Sequence, residues 1–126
     1  EEQICLIYSM ISEMTKKALN SLKHSKKTEE LYERLTTPGL LGEVQPAEAM
    51  CDLVENEYIK RLLRNASDSY IRFALSTGRH KEEIKEERNK LTELLKNGEL
   101  KKAEKALDAY FKLLAKAVNE ERGMNE

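Results

Sequence analysis

The segment from Ile84 to Val118, IKEERNKLTELLKNGELKKAEKALDAYFKLLAKAV, decides the fold because its apolar residues recur at helical spacing on both sides of Gly98. Before the glycine, four apolar residues share one helix face: Ile84, Leu91, Leu94 and Leu95. After it, six residues repeat the pattern: Leu100, Ala103, Leu107, Tyr110, Leu114 and Ala117. Glycine readily adopts the left-handed conformation that ends a helix. The segment therefore predicts an antiparallel helical hairpin hinged at Asn97-Gly98.

The composition places this hairpin in an all-α protein. The chain has 126 residues, of which 40% are hydrophobic and 36% charged, with only five glycines and two prolines. This length suits one domain, and so few turn-forming residues suit helices. We expect a single all-helical domain over residues 1–126, built as a bundle of about six antiparallel helices that ends in the hairpin. The missing initiator methionine suggests a piece of a longer polypeptide.

Charge and hydropathy limit the classes of partner. The net charge is −1, so no global field draws the chain to nucleic acid or to an anionic membrane. No apolar run approaches the roughly 20 residues of a membrane span, and no signal peptide is visible. We expect a cytoplasmic protein that contacts no membrane. Cys5 and Cys51 lie among apolar neighbours, and we expect both to be buried thiols.

The first half of the chain predicts shorter and less regular elements. A helix over residues 3–22 has an apolar side wider than one stripe, which indicates either a core position or a surface shared with a partner. Thr28 can cap a short helix over residues 29–35. Proline and two glycines then break the chain at 38–42, where Leu40 and Leu41 are expected to plug the loop onto the core. A lid over a cavity is the alternative.

A pair of helices is predicted between Pro46 and Leu75. Pro46 suits a first helical turn, and apolar patches lie on both sides of Asn56. Asparagine is a common residue at a helix break, so two helices meeting near Asn56 are expected. One long bent helix is the alternative.

No arrangement of residues in the sequence points to catalysis. The two histidines, His24 and His80, fall in polar turns, and neither a phosphate-binding loop nor metal-ligand spacing is visible. The glutamates of residues 82–87 are interleaved with Lys81, Lys85 and Arg88, which is typical of a solvated surface rather than a metal site. We therefore expect a protein without enzymatic activity, cofactor or metal.

Residues Asn56 to Val118 carry a resemblance to a known family. The matching residues are Asn56-Glu57-Tyr58-Ile59, Leu62-Leu63, Tyr70-Ile71-Arg72-Phe73, Gly78-Arg79, Lys96-Asn97-Gly98-Glu99, Ala103 and Ala106-Leu107. In spacing and residue class this part of the chain resembles the C-terminal half of the FCD domain. That domain is the all-helical effector-binding and dimerisation domain of GntR-type bacterial transcription regulators. The resemblance implies a ligand sensor whose winged-helix DNA-binding module is separate.

The metal-binding histidines of many FCD domains have no counterparts here. Their positions hold Arg88, Tyr110 and Ala47. Arginine has no lone pair to donate to a metal. The resemblance therefore implies a metal-free variant, in which Arg72, Arg88 and Tyr110 hold the effector together with an apolar wall. An acidic small molecule and a fatty acyl group each fit such a lining.

Two functions follow as expectations. The first is a ligand-sensing domain that forms a homodimer within a transcription regulator and reaches DNA only through another module. The alternative is a helical scaffold or small subunit of a larger protein or nucleoprotein assembly, with the hairpin as its docking surface.

Overall fold

The computed structural model describes residues 2–40 and 42–125, and within them the chain forms only helices and connecting loops. The helices are α1 (Glu2–His24), α2 (Thr28–Thr36), α3 (Pro46–Cys51), α4 (Glu57–Ala66), a π-helical turn (Ser67–Ile71), α5 (Arg72–Ser76), α6 (Lys81–Lys96) and α7 (Leu100–Asn125). Because α4, the π turn and α5 form one continuous helix, the described residues make six helical segments. The predicted all-α bundle is confirmed.

The α6–α7 hairpin forms as the sequence predicts. Gly98 has a φ of 73°, and the amide of Glu99 donates to the carbonyl of Leu94 over 2.9 Å, which closes the turn after α6. At the other end, His80 contacts Glu120, so the two helices run antiparallel. Leu91 and Leu107 are buried in the shared core. The hairpin is thus held by apolar packing along its whole length.

Helix α1 packs antiparallel against α7. The Ser12 hydroxyl donates to Asp108 over 2.7 Å, and the Lys16 ammonium lies 3.1 Å from the same carboxylate. The wide apolar side of α1 has two parts. Residues such as Ile11 are buried in the core, whereas Leu6 and Met10 are exposed. The apolar width of α1 is therefore only partly explained by core packing.

Asn56 separates α3 from α4, as the two-helix prediction requires. Its side-chain oxygen accepts hydrogen bonds from the amides of Tyr58 and Ile59 at 2.9 and 3.1 Å, so Asn56 caps the start of α4. Such a cap satisfies two amides that have no partner inside the helix. Pro46 lies in the first turn of α3, as expected.

The π turn keeps one face of the α4–α5 helix on the core. Leu63 and Ile71 are eight residues apart, and in an uninterrupted α-helix they would differ by about 80° around the axis. A π turn contains about one extra residue, which removes most of this difference. Both side chains are accordingly buried.

Three local predictions are wrong. Lys27, not Thr28, occupies the position before α2, and no side chain caps that helix. Leu40 is fully exposed because Gly39 and Gly42 hydrogen-bond to each other and leave it at the tip of a tight turn. Leu41 lies outside the described residues. Cys5 is exposed on the α7 side of α1, whereas Cys51 is buried as predicted.

Candidate ligand groove

A groove opens between the loop of residues 39–45, helix α5 and the start of α6. We call it the loop groove, and it encloses about 940 Å³. Its apolar wall is formed by Val44, Leu75 and Ile84, and its charged lining by Glu43, Glu48, Arg72, Lys81, Lys85 and Arg88. Its volume is larger than that of a second groove between α1 and α7, which measures about 580 Å³. Its size suits a small organic ligand.

Arg88 fixes the loop that forms one side of this groove. The residue is buried on α6, and its guanidinium donates to the carbonyl of Leu35 over 2.6 Å and to the carbonyl of Val44 over 2.8 and 3.1 Å. Glu43 lies 3.9 Å away. These bonds join the end of α2 to the end of the loop. Much of the donor capacity of Arg88 is thus committed to the backbone rather than to a ligand.

Tyr110 supports the same loop from α7. Its hydroxyl donates to the side-chain oxygen of Gln45 over 2.5 Å, and its ring packs edge-on against Phe111. Burial raises the pKa of Tyr110 well above its ordinary value, so the hydroxyl stays protonated and acts as a donor. Tyr110 reaches the groove only through Gln45, which lines it.

Arg72 differs from Arg88 because its side chain is more than half exposed. It projects from α5, with its guanidinium 3.9 Å from Glu48 and 3.8 Å from Asp68. Exposed pairs at such distances are weak. The guanidinium can therefore turn toward a ligand at little cost.

The charge balance of the loop groove favours an anion. Four cationic side chains line it against two carboxylates. Within the part of the chain that the structure describes, neither Lys81 nor Lys85 forms an ion pair. Their ammonium groups are consequently available to a bound carboxylate or phosphate.

The structure brings the three predicted ligand-binding residues to the same region in different roles. Arg72 and Arg88 line the loop groove, and Tyr110 lies behind Gln45. Lys81 and Lys85, which the sequence assigns only to a solvated surface, are exposed and also line the loop groove. Their spacing of four residues, flanking the apolar Ile84, is the signal in the sequence that places them on one edge of α6.

A second groove of about 580 Å³ runs between α1 and α7. Asp108 lies on its edge; burial opposes ionisation there, but hydrogen bonds from Ser12 and Lys16 keep the pKa of Asp108 below its ordinary value. On the other side, burial raises the pKa of Tyr8 to about 12, and its hydroxyl donates to the carbonyl of Tyr70 over 2.7 Å. Asp108 and Tyr8 each already have a hydrogen-bond partner within the protein. This groove therefore offers less to a polar ligand than the loop groove does.

No group of three or more His, Cys, Asp or Glu residues able to hold a metal ion occurs within residues 2–40 and 42–125. None of the described helices is both long and apolar enough to cross a membrane. The chain matches no family model, no curated protein and no solved structure.

Proposed function

We propose that the chain is a ligand-sensing and dimerising domain of a transcription regulator, which binds an acidic small molecule in the loop groove. The observation that carries the sensing part is the excess of cations around an apolar wall in that groove. Contact with DNA would occur through a separate module, because a net charge of −1 gives this chain no overall attraction to DNA.

The acidic class of effector is better supported than a fatty acyl group. The apolar wall of Val44, Leu75 and Ile84 is short, and cationic side chains surround it. A long acyl chain needs a deep apolar tunnel, whereas a carboxylate or phosphate on a small apolar body matches both surfaces. Small dicarboxylates and phosphorylated sugars are therefore the first ligands to test.

Helix α5 offers a route from ligand to quaternary structure. Arg72 and Leu75 face the loop groove, whereas Tyr70 in the π turn and Phe73 in α5 are exposed on another side of the continuous α4–α5 helix. The π turn before α5 contains a buried Ser67 hydroxyl that has no partner among the described residues. A ligand that draws Arg72 toward α6 would favour one position of α5, and so one arrangement of two subunits.

Calorimetric titration with a panel of small dicarboxylates and phosphorylated sugars tests the sensing proposal. We expect one class to bind, and Arg72→Gln and Lys85→Gln each to weaken its binding about tenfold or more. Lys90→Gln is the matched control because Lys90 is exposed on the same helix and lines none of the grooves described above. Absence of binding at millimolar ligand, or equal losses in the control, would contradict the proposal.

The scaffold function remains the second candidate because of one observation. Several large apolar side chains are exposed on α1, α4 and α5, and such patches mark docking surfaces for proteins. This surface, rather than the α6–α7 hairpin, is the one that a scaffold would use. A monomer that binds none of the ligands and forms a stoichiometric complex with one fixed protein partner would favour this function over sensing.

A further inference from the structure

Most of the exposed large apolar residues that the structure describes lie on one group of neighbouring helices. Among the described residues, seven large hydrophobic side chains are exposed, and six of them belong to α1, α4, the π turn and α5. They are Leu6, Met10, Tyr58, Leu62, Tyr70 and Phe73, each between 36% and 70% exposed. The seventh, Leu40, lies at the tip of the loop.

The helices that carry these six residues are neighbours. The rings of Tyr8 and Tyr70 meet edge-on with centroids 6.2 Å apart, which joins the first half of α1 to the π turn. Past the end of α1, Lys27 donates to the carbonyl of Leu53 over 3.3 Å, just before α4. Helices α1 and α4–α5 are therefore antiparallel, and the residues at the start of α1 lie level with Tyr70 and Phe73.

The π turn also brings the exposed apolar side chains of α4–α5 into line along one side of the helix. Leu62 and Tyr70 are eight residues apart, and the extra residue of the π turn brings them to nearly the same angle around the helix axis. Tyr58 lies one turn before Leu62, and Phe73 lies one turn after Tyr70. The four side chains form one continuous line, which we call the outer stripe.

The area of this surface matches what a dimer of small subunits requires. Side chains of this size present roughly 200 Å² when fully exposed, so the observed fractions leave about 600 Å² of apolar side chain in water. A stable interface buries about 800 Å² per partner. Tyrosine is enriched where binding energy concentrates, and two of the six residues are tyrosines.

Charged residues beside the two apolar surfaces indicate which surface of one copy contacts which surface of the other. Near the start of α1, Glu2 is exposed and forms no ion pair with any described residue, whereas Glu13 pairs with Lys16 over 2.7 Å. Beside the outer stripe, Arg61 is exposed and forms no ion pair with any described residue. Contact between the start of α1 in one copy and the outer stripe of the other can join the unlike charges of Glu2 and Arg61.

We infer that two copies of this chain associate through a two-fold interface in which α1 of each copy lies on the outer stripe of the other. This surface rests on the dimerisation part of the proposed function and specifies it. Because a two-fold interface repeats each contact, both apolar parts are covered at once. The loop groove stays at the edge of the interface, since α5 contributes Arg72 to the groove and Phe73 to the stripe.

Sedimentation equilibrium over about 1–100 µM protein tests the interface. The wild type should sediment at twice its 14.6 kDa mass. Leu6→Glu and Phe73→Glu should each weaken the dimer about 100-fold or more, because each buries a carboxylate in both halves of the interface. Leu40→Glu is the control and should remain dimeric. Because the three residues are exposed, circular dichroism should show wild-type helix content for each variant.

The outcomes separate the interface from the function. A wild type that stays monomeric at about 100 µM overturns the inference and leaves the surface to a different protein. A dimer that survives both α1 and α5 substitutions overturns the proposed surface but keeps dimerisation by another one. Equal dissociation of Leu40→Glu also contradicts it. Ligand binding is measured independently by calorimetry, so failure of the sensing proposal would appear there alone.

Discussion

The α6–α7 hairpin and the segment of residues 36–56 are held in place by different kinds of interaction. The hairpin consists of two long helices that pack their apolar faces together. They are joined by a turn in which one glycine, Gly98, has a left-handed conformation. The segment of residues 36–56, the middle segment, contains one six-residue helix. Its loop of residues 39–45 is held by Arg88 and Tyr110, which lie on the hairpin itself. The hairpin therefore has its own source of stability, while the middle segment takes its conformation from side chains 44–65 positions later in the chain.

This difference separates what stabilises the molecule from what shapes the loop groove. Apolar packing in the hairpin should determine the free energy of unfolding of the whole chain. A few polar contacts should determine only the local opening of the loop, since opening free energies differ between regions of one protein. The following changes test that separation.

Leu107→Ala should have the largest effect. Leu107 is fully buried on α7, and truncation there should lower the free energy of unfolding by roughly 2–5 kcal/mol. Chemical denaturation measures the change, and Leu113→Ala, at a partly buried position on the same helix, is the control with a smaller expected loss. A loss for Leu107→Ala under about 0.5 kcal/mol, typical of surface sites, would contradict the hairpin as the main source of stability.

Arg88→Met should release the loop more than it destabilises the fold. The substitution leaves the carbonyls of Leu35 and Val44 without their donor, at a cost of about 1.5–3 kcal/mol. Hydrogen exchange should accelerate in residues 36–45 and remain close to wild type in α7. Uniform acceleration through both regions would show that the two are not separable.

Gly98→Val tests the turn inside the hairpin. Gly98 has a φ of 73°, and a side chain in this left-handed conformation costs roughly 1–2 kcal/mol. No atom lies within 4 Å of a Cβ added at Gly98, so the expected loss comes mainly from the backbone conformation. Denaturation of Gly98→Val should show this loss, and Gly123→Val in α7, where φ is not positive, should not. Equal effects would remove the argument from the glycine conformation.

Tyr110→Phe should affect the loop groove with little change to the core. It removes the hydroxyl that donates to Gln45 and keeps the buried ring, so a loss of about 0.5–1.5 kcal/mol is expected. Hydrogen exchange at residues 43–45 should report it. Tyr32→Phe, at a site where the hydroxyl has no hydrogen bond with a described residue, is the control. Similar exchange in both variants would mean that Tyr110 does not hold the loop.

The smallest effect should come from replacing His80. Its side chain links α6 to α7 at the end of the hairpin opposite the turn. Hydrogen bonds to Glu83 and Glu120 raise the pKa of His80 above its ordinary value of 6.5. Its stabilising contribution is therefore complete below pH 6.5 and is lost as the pH rises through the raised pKa. Between about pH 6 and about pH 8.5, the melting temperature of the wild type should fall more than that of His80→Gln. His24→Gln should follow the wild type, and identical pH dependence in all three would contradict the role of His80.

The sequence predicted the regular part of the fold because periodicity is a local signal. The hairpin, the break before α4 and the helical turn at Pro46 each depend on residues within one or two turns of each other. The loop was predicted wrongly at Leu40, because its tight turn depends on backbone bonds between Gly39 and Gly42 and on the distant Arg88. Arg88 was identified as important, but its role in holding carbonyl groups cannot be read from neighbouring residues.

The way Arg88 holds the loop has a consequence for sequence variation. Its guanidinium binds main-chain carbonyl oxygens at positions 35 and 44, and every amino acid supplies such an oxygen. Substitutions at exposed loop positions such as Glu43 can therefore alter the chemistry of the groove lining while the anchor stays intact. In directed evolution, a loop library that spares Arg88 and the glycines of the turn should yield folded proteins at high frequency. Changes at a few surface residues can thus alter the charge and shape of the loop groove without unfolding the protein.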